Sequence, residues 1–181
     1  QDLIRIANDI RLLASGPKTG LAELNLPAVQ PGSSIMPGKV NPVMAEMLTM
    51  VCFQAIGYDT TVLLAAQAGQ LELNVMMPVV AFDLLQEIEI FSNAITAFTK
   101  LCLRGITANE KRGKMYAEAS MSIVTVLNPH LGYAKAAEIA KEYLKSGKSI
   151  REILLERHLF TEKQIDTIFD LRAMTEPGIR K

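Results

Sequence analysis

Leu3, Ile6, Ala7, Ile10 and Leu13 recur at helical spacing with Asp9 and Arg11 between them, and the pattern stops at Gly16-Pro17. A first helix is predicted over about residues 1 to 15. From Pro17 to Asn41 the periodicity vanishes. Pro17, Pro27, Pro31 and Pro37 alternate with Gly20, Gly32 and Gly38, a long irregular connection of the kind that carries function. At Asn41-Pro42 a second helix is predicted, with Asn as N-cap, Pro at the first helical position and Glu46 in the first turns. It is expected to reach about Leu73, with a bend at Gly57, and at about 30 residues it would be about 45 Å long. A third helix is predicted from Pro78 to Arg104, closed by Gly105.

Both rods are apolar on most of their faces. Val43, Met44, Met47, Leu48, Met50, Val51, Phe53, Ile56, Val62, Leu63 and Leu64 surround the axis of the first rather than forming one stripe. One chain cannot readily cover two such helices, so neighbouring copies in a homo-oligomeric bundle are expected to bury them. After Gly105 the helices shorten and charge increases. Three S/T-x-x-E/Q capping boxes are predicted: Thr107 with Glu110, Ser149 with Glu152, and Thr161 with Gln164. Asn128-Pro129 is expected to break the first helix of this part, and Gly132 to Lys145 to form another that Gly147 closes. No segment sustains the alternation of a half-buried strand. The predicted fold class is all-α, with a long-helix bundle over residues 1–108 and a small helical domain over 109–181.

Composition narrows the function. The 181 residues are 49% hydrophobic and 21% charged, with 19 Lys and Arg against 19 Asp and Glu. That balance leaves no basic field for nucleic acid or for an anionic membrane surface. Glu46, Asp59 and Glu72 interrupt the apolar stretch from Val43 to Phe82, so no uncharged 18-residue span exists. Cys52 and Cys102 stand in apolar surroundings without CxxC spacing and are expected in the core, in a reducing, cytoplasmic compartment. His130 and His158 lie far apart, and no metal or other cofactor is implied. The chain opens at Gln1 directly into a helical pattern, and it is expected to be the C-terminal part of something larger.

Chemistry concentrates in Gly32-Ser33-Ser34-Ile35-Met36-Pro37-Gly38-Lys39-Val40-Asn41-Pro42. Glycines let backbone N–H groups approach an anion, the following helix start adds unpaired donors and a favourable dipole, and Lys39 adds a full positive charge. A carboxylate suits such a place. Either serine, with its alkoxide stabilised by amides and a cation, could take a proton from carbon. The same residues can also be read as a flexible Gly-Ser-Ser linker, a solvated lysine, a capping Asn41 and a Glu46 that complements the helix dipole.

The run GSSIMPGKVNP resembles the signature loop of the fumarase/aspartase superfamily. Ala7-Asn8-Asp9-Ile10-Arg11-Leu12-Leu13-Ala14-Ser15-Gly16-Pro17 is similar to the helix ahead of that loop, and Ala68-Gly69-Gln70-Leu71-Glu72-Leu73-Asn74-Val75-Met76 to the end of the long central helix. Asp59-Thr60-Thr61-Val62, Gly105-Ile106-Thr107-Ala108-Asn109 and Ser149-Ile150-Arg151-Glu152 look more like the aspartase branch. His130-Leu131-Gly132-Tyr133 is also similar to fumarases, and Tyr58 stands where both branches commonly have Asn.

What the resemblance implies is a homotetramer with active sites built from three subunits, and an anti-elimination that releases an amine or water to leave fumarate. The first serine of the loop, Ser33, would be the base. Ser34, Met36, Lys39 and Asn41 would contact a small dicarboxylate, with Gly32 and Gly38 shaping the loop and Glu46 supporting it from behind. Fumarase chemistry is the alternative to aspartate deamination, and a non-catalytic helical oligomerisation module is the alternative of another class. The family's Thr/Ser/Asn and Thr-His segments do not occur in these residues, so the 181 residues alone are expected to be inactive.

Overall fold

The computed structural model describes residues 1–32, 35, 36 and 38–177, in two compact units, Gln1–Glu110 and Lys111–Lys181. In the first unit, α1 (Asp2–Leu13) leads through a long connection to the antiparallel helices α2 (Val43–Gln67) and α3 (Met77–Leu101). α1 packs on α2, and α2 on α3. The core gathers Ala7 and Ile10 of α1, Ala45, Leu48 and Cys52 of α2, and Ala94, Phe98 and Cys102 from the end of α3. Alanines at the contacts let the helix backbones approach closely, while Ile10, Leu48 and Phe98 are the largest buried side chains of this core.

Several expectations are corrected. α2 stops at Gln67 rather than Leu73, because the Asn74 side-chain amide donates to the carbonyls of Ala65 and Ala66, at 3.0 and 3.3 Å, and takes up the helix's last free acceptors. α2 is a single uninterrupted helix through Gly57. α3 ends three residues before Arg104. The fold is all-α apart from a ribbon of two-residue strands, β1 (Leu24–Asn25) and β2 (Thr107–Ala108), which pair antiparallel. Two residues are too few to leave a period-two signal in the sequence. Thr107 therefore caps no helix: its backbone is extended, and its hydroxyl accepts from the Asn25 amide at 3.3 Å. Asn109 extends the tie, donating from its backbone to Glu23 and from its side chain to Ala22.

The second unit consists of most of α4 (Glu110–Ala119), a 3₁₀ segment 121–127, and α5 (Asn128–Leu131), α6 (Tyr133–Ser146), α7 (Ile150–Glu156), α8 (Glu162–Ile168) and α9 (Leu171–Met174). Ala119, not Asn128-Pro129, ends its first helix. Pro129 instead starts α5, where a missing N–H costs nothing. Ser149 with Glu152 and Thr161 with Gln164 form reciprocal capping boxes, and Gly147 closes α6 in the left-handed conformation. Leu127, Ile139, Ile153, Leu154 and Ile165 are fully buried at the centre of the unit.

The α2–α3 pair is buried unevenly. Most of its buried residues lie between Ala45 and Ala55 on α2 and at Ala94 and Phe98 on α3, with Ala65 and Asp83 buried nearer the turn. Toward the turn that joins them, Leu63, Leu64, Phe82, Leu85 and Ile88 are exposed. By length and composition α2 is also apolar enough to cross a membrane, with two charged residues, Glu46 and Asp59.

Candidate active site

The sequence-predicted loop lies between the β1 ribbon and the first turn of α2. Ser33, Ser34 and Pro37 lie outside the described residues, so the expected base and one carboxylate-binding hydroxyl have no described geometry. The residues around them define the base of the loop. Its two ends touch: a Cβ built on Gly32 would lie 1.6 Å from the Lys39 carbonyl oxygen, so only glycine fits. The Asn41 amide donates to the Gly32 carbonyl at 2.7 Å and staples the ends together. Within the span, the Lys39 N–H donates to Met36 O at 3.3 Å, and Gly38 turns the chain with a φ of +80°. Ile35, Met36, Lys39 and Val40 project outward and are exposed.

Asn41 is therefore not the helix cap that local sequence suggests. Pro42 takes the N-cap position, with no side-chain donor or acceptor to offer. The Pro42 carbonyl accepts from Ala45 and Glu46, at 3.1 and 3.0 Å, starting α2 directly beneath the loop. A long-range partner, the Gly32 carbonyl nine residues back, has drawn the amide away from its local role. An amide nitrogen has two hydrogens, so the staple leaves Asn41 a second donor.

Glu46, one turn into α2, faces Arg11 of α1, with 3.7 Å between Nη2 and Oε1, and Arg11 also donates to Asn8 Oδ1 at 3.0 Å. Both members of this ion pair are about two-fifths exposed, so it orients more than it stabilises. Sequence reading passed over Arg11 in this connection. The available signal was Asn8 and Arg11, three residues apart on one turn of a helix that otherwise repeats apolar residues.

Beneath the base of the loop, Leu26, Pro27, Asn41, Pro42, Met44 and Cys102 line a cavity of about 10 Å³. That is room for one water and not for a dicarboxylate. Burial pushes the Cys102 thiol above its ordinary pKa and does the same to Cys52, so neither is a ready nucleophile. In the second unit His130 and His158 are both exposed, and the edge of His130 meets the ring of Phe160. Among the described residues no three His, Cys, Asp or Glu side chains gather to hold a metal ion. A shallow cleft there is lined by Glu138, Lys141, Glu142, Lys145 and Arg157, but Arg157 already bridges Glu138 and Glu142.

Comparison with known proteins agrees with the loop. Residues 1–57 match the family model described as Lyase, and residues 123–176 the model described as Fumarase C C-terminus. An aspartate ammonia-lyase of Bacillus subtilis (strain 168) is 56% identical over 178 residues, 98% of this chain. The chain spans 38% of that relative's length. Among solved structures, a fumarate lyase:delta crystallin from Brucella melitensis bound to cobalt superposes with a TM-score of 0.92 at 46% identity, covering 97% of this chain and 38% of that one. A class II fumarase from Schistosoma mansoni gives 0.78 at 43% identity, covering 92% and 35%. With these matches along nearly all of its length, the chain belongs to the superfamily of lyases that unites the fumarases and the aspartate ammonia-lyases.

Proposed function

We propose that this chain is part of a carbon–nitrogen lyase that converts L-aspartate reversibly to fumarate and ammonia. In this reading Ser33, as its alkoxide, takes a proton from the carbon next to one carboxylate. The C–H electron pair passes into that carboxylate as an aci-carboxylate dianion and then forms the carbon–carbon double bond as ammonia leaves from the neighbouring carbon. Lys39, Ser34 and the second N–H of Asn41 hold substrate carboxylates, and Met36 packs over the substrate. Gly32 and Gly38 shape the loop, while Glu46, oriented by Arg11, supports it from behind. Glycine-flanked loops of this kind serve as closing covers, excluding water from the developing charge.

The observation that supports this reading is the loop base: the Asn41 amide tied to the Gly32 carbonyl and the tight Gly32–Lys39 backbone approach close the glycine-flanked loop immediately before the start of a long helix. The cavity below it is too small for the substrate, which supports sites completed by other segments and other copies of the chain. The exposed apolar flanks of α2 and α3 support a homo-oligomer, here proposed as a tetramer with shared sites. They are proposed to face protein rather than lipid or nucleic acid, because the exposed side of α3 also carries Glu89, Asn93 and Lys100. A cytoplasmic location is proposed with them.

Aspartate as substrate is supported by 47–56% identity to curated aspartate ammonia-lyases. The second reading, a fumarase interconverting malate and fumarate, is favoured by the match of residues 123–176 to the fumarase C-terminal model. Absorbance in the fumarate band decides between them. Full-length protein given aspartate should generate signal, and malate should not. The reverse result assigns a fumarase, and silence with both assigns a non-catalytic helical module. The 181 residues alone are proposed to give no signal with either.

A further inference from the structure

A carboxylate is a poor neighbour for a site that binds anions, and Glu46 is such a neighbour. It stands in the first turn of α2, and its backbone N–H donates to the Pro42 carbonyl at 3.0 Å, immediately after the loop that Asn41 ties to Gly32. Left alone, its charge complements the helix dipole but repels a dicarboxylate approaching the same helix start. On the reading of the loop as a dicarboxylate site, whichever reaction follows there, we infer that Arg11 is the counter-charge that lets the loop accept a dianion. It is then a specificity-determining residue, although it belongs to another helix.

The guanidinium is held for that task. Its Nη1 donates to Asn8 Oδ1 at 3.0 Å, on the preceding turn of α1, while Nη2 lies 3.7 Å from Glu46 Oε1. At that separation the second contact is an ion pair rather than a hydrogen bond, so it offsets charge without occupying the carboxylate's lone pairs.

The remaining donor shows that stability is not the reason for an arginine at this position. The Arg11 Nε–H is buried, and among the described residues it has no acceptor. A donor sealed from water without a partner costs folding free energy that an apolar side chain would not. What arginine supplies here is charge, delivered from α1 to a carboxylate on α2. Arg5, also on α1, makes an ion contact of the same 3.7 Å with Asp2, but inside one helix turn and with both side chains largely exposed. It has the same chemistry without the neighbouring loop, which makes it the control.

The test measures calorimetric binding of succinate, a dianion that undergoes no elimination, to full-length protein at low ionic strength. Arg11→Gln leaves Glu46 uncompensated and should raise the dissociation constant about tenfold. Removing both charges, in Arg11→Gln with Glu46→Gln, should return it to within about twofold of wild type, as should Arg11→Lys, which keeps the charge. Arg5→Gln should bind as wild type does. The tenfold loss should narrow in about 1 M salt, where screening acts over about 3 Å. Wild-type affinity in Arg11→Gln overturns the inference. So does a double variant as weak as Arg11→Gln alone, or a loss that salt leaves unchanged, since a purely structural role predicts both. Wild-type protein that turns over aspartate or malate while Arg11→Gln binds succinate normally removes this inference and keeps the proposed function. Wild-type protein that neither turns over nor binds a dicarboxylate removes both.

Discussion

The Asn41 amide donates to the Gly32 carbonyl at 2.7 Å, across a loop whose ends also meet through the close backbone approach of Gly32 and Lys39. Three residues thereby set the aperture of the signature loop before any substrate arrives. A methyl group at position 32 has no space, since its neighbour is backbone and cannot rotate away.

Gly32→Ala should separate the loop ends while the helices beneath stay packed. Displacing catalytic groups by about 1 Å costs on the order of a hundredfold in rate. In full-length protein, kcat/KM for aspartate should fall by about that factor with Tm unchanged within a few degrees. Near wild-type turnover would show that the aperture is not set by this contact.

Ser33→Ala removes the proposed base. Turnover should fall by about a thousandfold or more, with the oligomer intact by sedimentation. A variant retaining near wild-type activity would move the proton abstraction to another residue.

The second unit carries a pH-dependent capping box. Glu152 receives hydrogen bonds from the Ser149 backbone N–H and hydroxyl, at 2.7 and 2.8 Å, and these hold its carboxyl below the ordinary range. A carboxyl lowered in the folded state contributes stability that is fully present above its unfolded pKa and is lost as pH falls through its folded one. Ser149→Ala should therefore lower Tm by a few degrees near neutral pH. The gap between the two proteins should narrow in acid below about pH 4.5, where protonation of Glu152 removes the share due to its bond with the Ser149 hydroxyl, which the variant already lacks. A gap that widens on acidification would exclude Glu152 as the group responsible.

Asp83 is 4% exposed within the first unit, and among the described residues its Oδ2 has no hydrogen-bond partner. A buried oxygen left unpaired costs about 1–3 kcal/mol. Asp83→Leu, which keeps the branched shape and removes the unpaired oxygen, should raise Tm by several degrees. A fall would show that assembly brings a donor to this carboxylate.

How far the sequence could be read is clear from particular residues. Helical spacing from Leu3 to Leu13, the Gly-Pro stop and the two C-terminal capping boxes act within four residues of one another, and each was legible. Asn41 and Thr107 were misread because both have a good local role, helix cap and capping box, and distant partners claim them instead: Gly32 across the loop and Asn25 across the ribbon. Arg11 was missed for the same reason, since Glu46 stands on another helix.

The sequence by itself determined the helical fold class, the identity of the loop and the excess of apolar surface on two long helices, because these depend on periodicity and residue type. Only the tertiary structure decided which faces of those helices are covered and that Gly32 must be glycine. The physical reason is that steric fit and hydrogen-bond competition are settled between segments far apart in the chain, where no local preference can decide them.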